Sequence, residues 1–143
     1  MSVRKVPGKL PVRFRYTPGV GNTAFFEALA DRGVLMGSRC ASCAVTYLPA
    51  RIFCERCFAA LEADAECGPE GTLESWTVAR LGFDDEPLEV PVPLGLVRLD
   101  GADTVLCHRL LGVPEPAFGL RVHVVVSGAR TGSIHDLDGF RPA

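Results

Sequence analysis

The sequence predicts a mainly β protein with an N-terminal helix, a metal-binding ribbon and a five-stranded C-terminal barrel. Two observations support this prediction. Two CxxC pairs lie close together between Cys40 and Cys57, and five short alternating apolar segments separated by turn residues follow Gly71. Such closely spaced segments are typical of a small antiparallel barrel or sandwich. Five strands in about seventy residues match the size of an OB-fold, a partly open Greek-key barrel.

Residues 1–21 are predicted to form an extended basic arm, because they contain three prolines and three glycines and no periodic apolar pattern. The first 26 residues carry five basic residues and no acid, whereas the remainder carries ten basic and seventeen acidic residues. A basic arm on an acidic body could bind a phosphate or an acidic partner. The simpler interpretation is a solvated tail.

Residues 22–33 are predicted to form a short helix. Its first two residues, Asn and Thr, can cap its start, and Gly33 can end it. Phe25, Phe26 and Leu29 fall on one side at helical spacing. A helix this short is marginal alone and must dock on something. The sequence leaves open whether it docks on the rest of the chain or on a partner subunit.

Residues 34–66 are predicted to form a metal-binding ribbon. A CxxC turn lets two sulfur atoms converge, and the ten residues between the two pairs can form a hairpin. No histidine lies before position 108, so we do not expect the open site of a catalytic zinc. A structural zinc is expected, although a mononuclear iron site has the same four-sulfur geometry. The candidate ligands are Cys40, Cys43, Cys54 and Cys57.

Two other interpretations of the cysteines are weaker. A redox dithiol normally opens the helix of a βαβ unit, which this sequence does not suggest. Disulfides are disfavoured in the cytoplasm, where we place the protein because no signal peptide or membrane span is recognisable. Of the two remaining cysteines, Cys107 is expected to be buried in a strand, and Cys67 is given no role.

Residues 67–143 are predicted to form the barrel. Its second strand is expected after the proline-rich stretch DDEPLEVPVP, which we interpret as a loop. The stretch FAALEADAECGPEG, which follows Cys57, is ambiguous between helix and strand. The three histidines are His108, His123 and His135. Because adjacent strand residues point to opposite faces, His108 cannot easily pair with its neighbour Cys107. We therefore expect no catalytic set.

An OB-fold beside a zinc ribbon is also found in proteins that bind single-stranded nucleic acid through a basic groove and stacking aromatic rings. From Glu70 onward this chain has six arginines against eleven acids and only four aromatic side chains. The isoelectric point of the sequence is near 5.9. This composition makes nucleic-acid binding the alternative hypothesis rather than the preferred one.

The order of these motifs resembles a known family. FFEAL, RCASC, FCERC, GTLESWTV, PVPLGLVRLDG and a closing GFRPA follow one another over residues 22–143. This order is similar to that of the acyl-CoA-associated OB-fold family with a rubredoxin-like zinc ribbon, catalogued as domain of unknown function thirty-five. The resemblance implies that the four cysteines of the two CxxC pairs bind zinc. It carries over no catalytic residue, and residues 1–21 do not align.

The resemblance implies a non-catalytic accessory subunit of acyl-CoA metabolism, whether of lipids, steroids or polyketides. Such a subunit binds acyl-CoA or scaffolds a thiolase-like or hydratase-type enzyme, which supplies the catalytic residues. CoA carries phosphates, so Arg39, Arg51 and Arg56, which lie among the cysteines, are candidate acyl-CoA contacts. Surface solubility is the simpler role for these arginines. Phe25 and Phe26 are candidate partner contacts, and a homo-oligomer is compatible with the sequence.

Overall fold

The computed structural model describes residues 8, 14–82 and 85–143. Most of the predicted arm and residues 83–84 lie outside these residues. The described residues form one α-helix, one short 3-10 helix and eight strands. In chain order the elements are α1 Gly19–Arg32, β1 Leu35–Cys40, β2 Val45–Tyr47, β3 Ala65–Cys67, β4 Glu70–Leu81, β5 Pro87–Leu99, β6 Val105–Arg109, β7 Arg121–Val126, the 3-10 helix Ile134–Asp136 and β8 Leu137–Pro142. No helix in the described part of the chain has the length and apolar character needed to cross a membrane.

Helix α1 begins three residues earlier than the sequence suggested. It starts after Pro18 with no side-chain cap, since the fixed φ of proline already suits a helix start. Gly33 ends it as expected, with a φ of 69° that favours glycine. Phe25 is only 1% exposed and packs in the main core, with Phe26 half-buried against it. This corrects the expectation for Phe25, which belongs to the chain's own core and offers no surface to a partner.

The ribbon is a three-stranded antiparallel sheet in the order β2-β1-β3. β1 pairs with β2 through Ser38–Cys40 and with β3 through Leu35–Gly37, so one strand organises the whole ribbon. The segment that was ambiguous between helix and strand therefore supplies β3. Gly37 is required at the centre of this sheet, because a Cβ there would lie 2.5 Å from the carbonyl oxygen of Tyr47.

The C-terminal sheet has five strands in the order β6-β5-β4-β7-β8, all paired antiparallel. Its two end strands meet through a parallel bridge between Leu110 and Phe140. The Leu111 N–H also donates to the Phe140 carbonyl at 2.7 Å. This contact closes the sheet into the five-stranded OB-fold that the sequence predicted.

Strand β5 differs from the prediction, because it begins at Pro87 and includes most of the stretch interpreted as a loop. The carbonyl of Pro93 accepts the N–H of Leu110 at 2.8 Å, so the main-chain groups of Pro93 face away from β4. The missing N–H therefore lies on the outer side of the strand and costs the β4–β5 pairing nothing.

The ribbon and the barrel are joined by a shared core and by hydrogen bonds. Leu35 and Leu48 of the ribbon belong to the same buried cluster as the barrel interior. The Thr46 N–H donates to the Asp103 carboxylate at 2.8 Å, and the Asp103 N–H returns a bond to the Thr46 carbonyl at 2.9 Å. Leu48 exchanges two bonds of 2.8 Å with the Thr104 hydroxyl. The ribbon is therefore held on the barrel by the loop between β5 and β6.

The expectation that Cys107 is buried is wrong. Cys107 is exposed, whereas Leu106 and Leu110 face the core with the half-buried His108 between them. Residues two apart on a strand share a face, so the two leucines fix which side is inward. The imidazole Nδ1 of His108 is buried without a hydrogen-bond partner among the described residues, and burial lowers the pKa of this histidine.

Candidate metal centre

The structure brings all four predicted cysteines together. The Sγ atoms of Cys40, Cys43, Cys54 and Cys57 lie within 4.8 Å of one another. The first pair lies at the end of β1 and in the turn that follows, and the second pair lies in the turn after Phe53. The Cys40 and Cys57 sulfurs, from different pairs, are 3.6 Å apart.

This cluster fits a tetrahedral metal. Zinc–sulfur bonds of about 2.3 Å place the sulfur atoms of a tetrahedral site roughly 3.8 Å apart, close to the observed separation. Cys40 and Cys54 are fully buried, while Cys57 is exposed. Four thiols and no water or carboxylate position make a closed ligand set, which is the set of a structural rather than a catalytic metal site. Such an ion would stabilise a module whose own buried cluster is very small.

Backbone turns position the sulfur atoms. In the second pair, the Phe58 N–H donates to the Cys54 carbonyl and the Cys54 N–H donates to the Ala59 carbonyl, both at 2.9 Å. The residue after each CxxC pair has a left-handed backbone conformation, with a φ of 54° at Ala44 and 59° at Phe58. Neither residue is glycine, so each turn carries backbone strain.

This strain predicts a stabilising substitution. Ala44→Gly should raise the free energy of unfolding of the metal-loaded protein by about 0.5–1 kcal/mol, because glycine adopts this φ without steric cost. Urea denaturation measures the change. Ala41→Gly, in the same turn but without a positive φ, is the matched control and should lower the stability by about 0.5–1 kcal/mol. Equal effects of the two substitutions would contradict the proposed strain.

Tyr47 is a site residue that the sequence did not reveal. Its hydroxyl lies 3.4 Å from the Cys54 sulfur and accepts the Glu55 N–H at 3.2 Å. The hydrogen bond from Tyr47 lowers the pKa of Cys54 to about 6, and the same bond raises the pKa of Tyr47 to about 12. Hydrogen bonding to Cys57 raises the pKa of Cys43 to about 12. The Cys43 thiol is therefore protonated at neutral pH without a cation, and a metal that binds there displaces its proton.

The three candidate arginines lie near the cysteines in the sequence, but their contacts differ. Arg51 forms an ion pair with Glu55, and its guanidinium carbon lies 5.0 Å from the centroid of the Tyr47 ring. Arg39 reaches the Thr46 hydroxyl at 3.4 Å. Arg56 is exposed between the two cysteines of the second pair. Of the three, only Arg51 has an ion-pair partner among the described residues.

A separate cavity of about 390 Å³ lies between the end of α1, β3 and β7. Its lining is mostly apolar, with Glu66 and His123 as the polar side chains. Burial raises the pKa of the Cys67 thiol on its wall, so this thiol stays protonated at neutral pH. None of the three candidate arginines lines this cavity.

The histidines do not gather at the metal centre. His108 and His135 line a depression between β6, the 3-10 helix and β8. His123 lines the apolar cavity. In the part of the chain that the structure describes, the four cysteines are the one cluster of three or more metal-ligating side chains.

Comparisons with known proteins agree with this architecture. The rubredoxin-like zinc ribbon domain of ChsH2 matches residues 28–62, and the C-terminal OB-fold domain of ChsH2 matches residues 65–127. The two matches follow each other in the order of the ribbon and the barrel. No curated protein matches the chain.

Two solved structures are similar over most of the chain. A protein of unknown function from the DUF35 family of Sulfolobus solfataricus superposes with a TM-score of 0.68 and 23% identity, covering 87% of each chain. This similarity shows the fold alone. A chain of the Ltp2-ChsH2(DUF35) aldolase superposes with a TM-score of 0.64 and 27% identity, covering 88% of this chain and 98% of that chain.

Proposed function

Because the chain belongs to the DUF35 family, with the zinc ribbon and OB-fold of ChsH2, we propose that it is an accessory subunit of acyl-CoA metabolism. In this role it binds acyl-CoA and assembles with a thiolase-like or hydratase-type enzyme that supplies the catalytic residues. The observation that carries this proposal is the similarity to a chain of the Ltp2-ChsH2(DUF35) aldolase, which this protein matches over 98% of that chain.

Zinc is the metal we assign to the four-cysteine cluster. Thiolates are among the strongest zinc ligands, and a closed four-sulfur site is its usual structural form. The ion would stabilise the fold of the ribbon and so maintain the shape of the ribbon surface that a partner could bind. Elemental analysis should find about one zinc per chain.

The acyl part of the proposal is supported by the apolar cavity. Its volume of about 390 Å³ lies in the range of small-molecule sites. The side chains that line it are mainly aliphatic and come from three different elements: Val34, Leu35, Cys67, Pro69, Val124 and Val126. Arg39, Arg51 and Arg56 remain the proposed contacts for the phosphates of CoA, on the ribbon side of the molecule.

Filling the cavity should weaken acyl binding. In Val34→Trp the indole ring would occupy space that an acyl chain needs, so the affinity for a long-chain acyl-CoA should fall at least about tenfold. Calorimetric titration of the zinc-loaded protein measures the affinity. Val90→Trp, at a position 72% exposed on β5, adds the same ring elsewhere and should bind as the natural chain does. Unchanged affinity in Val34→Trp would exclude this cavity as the acyl site.

The alternative function, binding of single-stranded nucleic acid, needs a basic groove on the barrel. Two of the barrel's arginines are instead paired with acids. Arg98 bonds to Glu74 at 2.8 Å, and Arg121 bonds to Asp100 at 2.6 Å and to Glu70 at 3.0 Å. These pairs reduce the free positive charge that the barrel offers to a nucleic-acid backbone.

Purification from the native cell tests the assembly directly. A tagged copy of the chain should recover a thiolase-like enzyme or an acyl-CoA hydratase in a fixed ratio, identified by mass spectrometry. Recovery of single-stranded nucleic acid or ribosomes in its place would favour the alternative.

A further inference from the structure

The β4–β5 hairpin extends beyond the barrel. β7 pairs with β4 only through Glu70–Thr72, and β6 pairs with β5 only through Leu94–Arg98. Past these contacts the two strands pair with each other and with no other strand in residues 14–82 and 85–143. An isolated two-stranded ribbon is marginally stable in water, and its open edges can pair with other strands.

One edge of this ribbon is blocked. Pro93 directs its main-chain groups away from β4, because its carbonyl accepts the Leu110 N–H of the neighbouring chain segment. Pro91 lies two residues earlier on the same strand, where the register between β4 and β5 shifts. Neither proline has an N–H to donate, so the outer edge of β5 cannot accept another regular strand.

The other edge, on β4, is open. Val78 lies opposite Pro93, and a pair that contains proline cannot exchange two N–H bonds, so Val78 directs its own N–H and C=O outward. Trp76, two residues earlier, faces the same way. No proline occurs in β4, and Trp76 is 40% exposed. The outer edge of β5 is therefore blocked by proline, whereas the outer edge of β4 is open and carries Trp76.

We propose that two copies of this chain associate through the open edge, with β4 of one copy antiparallel to β4 of the other. The edge is complementary to itself. A two-fold axis at Val78 places Val78 against Val78 of the second copy and Trp76 opposite Arg80 of the second copy. The indole can then face the guanidinium, and no like charges lie directly opposite. The proposal concerns the chain alone and is independent of the partner enzyme.

The dimer is weak and reversible. Pairing of five or six residues per copy buries less than the roughly 1,200–2,000 Å² of stable interfaces, so we expect monomers at about 1 µM and dimers at several hundred micromolar. Trp76 is the single tryptophan of the chain. Its fluorescence therefore reports the contact directly, since covering the indole should shift its emission to shorter wavelength and reduce quenching by acrylamide.

The test compares two substitutions at one position by sedimentation equilibrium and Trp76 fluorescence. Val78→Pro removes the outward N–H but leaves the β4–β5 bonds intact, and it should weaken dimerisation at least about a hundredfold. Val78→Thr keeps both the N–H and the branched shape, and it should dimerise as the natural chain does. Zinc content and circular dichroism verify that both variants are folded.

A charge change on the same edge provides a second test. Arg80→Glu removes the cation from the indole face and should weaken the dimer about tenfold without changing the fold. The proposal is overturned if the natural chain stays monomeric at several hundred micromolar, or if Val78→Pro dimerises as strongly as Val78→Thr. Either result leaves the acyl-CoA proposal untouched, since that proposal is tested with acyl-CoA and the partner enzyme.

Discussion

Replacing Cys54 and Cys57 together by serine is expected to remove the metal and unfold the ribbon. The metal content should fall from about one ion per chain to near zero, because two ligands cannot hold a structural zinc. Structural zinc contributes about 10–16 kcal/mol of folding free energy in isolated zinc-finger peptides. The ribbon's own buried cluster, with Val45 and Tyr47 as its large members, cannot replace this contribution. Elemental analysis and thermal denaturation followed by Trp76 fluorescence measure both effects.

Cys107→Ser is the matched control for the ligand variant. Cys107 is an exposed cysteine on β6, outside the metal cluster. Its replacement should leave both the metal content and the melting temperature unchanged within a few degrees. Stoichiometric metal in the double variant, or equal metal loss in Cys107→Ser, would show that the ion is held elsewhere. Because Leu35 and Leu48 join the ribbon to the main core, metal loss should also lower the melting temperature of the barrel.

The metal ligands and the barrel could be predicted because each depends on short-range patterns. A CxxC turn is closed by a few backbone bonds, such as that from the Phe58 N–H to the Cys54 carbonyl. The spacing alone therefore indicates which sulfur atoms converge. The barrel could be predicted because apolar residues alternate along its strands. Leu73 and Val97 are examples, and the side chains of both are fully buried.

Other features depend on which elements meet in space, and the sequence does not contain that information locally. Phe25 lies on an apolar helix face, but the pattern does not say which surface covers it. Tyr47 bonds to Cys54 only after β2 folds over the second cysteine pair. The proline-rich start of β5 was interpreted as a loop because proline disfavours strands, yet the outward direction of Pro93 removes this objection.

The side of β6 that faces inward was also missed. Cys107 is more apolar than His108, so we expected the face of β6 that carries Cys107 to point inward. This expectation was wrong. The positions of Leu106 and Leu110 decide the matter, because both must face the core and His108 lies midway between them. One residue of register reverses every side chain of a strand, which makes a short strand of mixed polarity hard to orient from sequence.

Phe140→Ala is expected to be the most damaging substitution in the barrel. Phe140 is fully buried on β8, and its backbone closes the barrel against Leu110 and Leu111. Removing its ring should leave a cavity and lower the free energy of unfolding by about 3–5 kcal/mol, or roughly 10–20 °C in melting temperature. Urea denaturation followed by Trp76 fluorescence measures the loss.

The comparison variant is Phe118→Ala. The Phe118 side chain is 76% exposed, so its removal should lower the free energy of unfolding by less than about 0.5 kcal/mol. The metal content of both variants should stay near one per chain, since Phe140 belongs to the main core and not to the small cluster around the cysteines. Retained metal with lowered stability indicates damage to the barrel. Lost metal, as expected for the cysteine variants, indicates damage to the ribbon. If Phe140→Ala were no less stable than Phe118→Ala, the Phe140 ring could not be an important part of the main core.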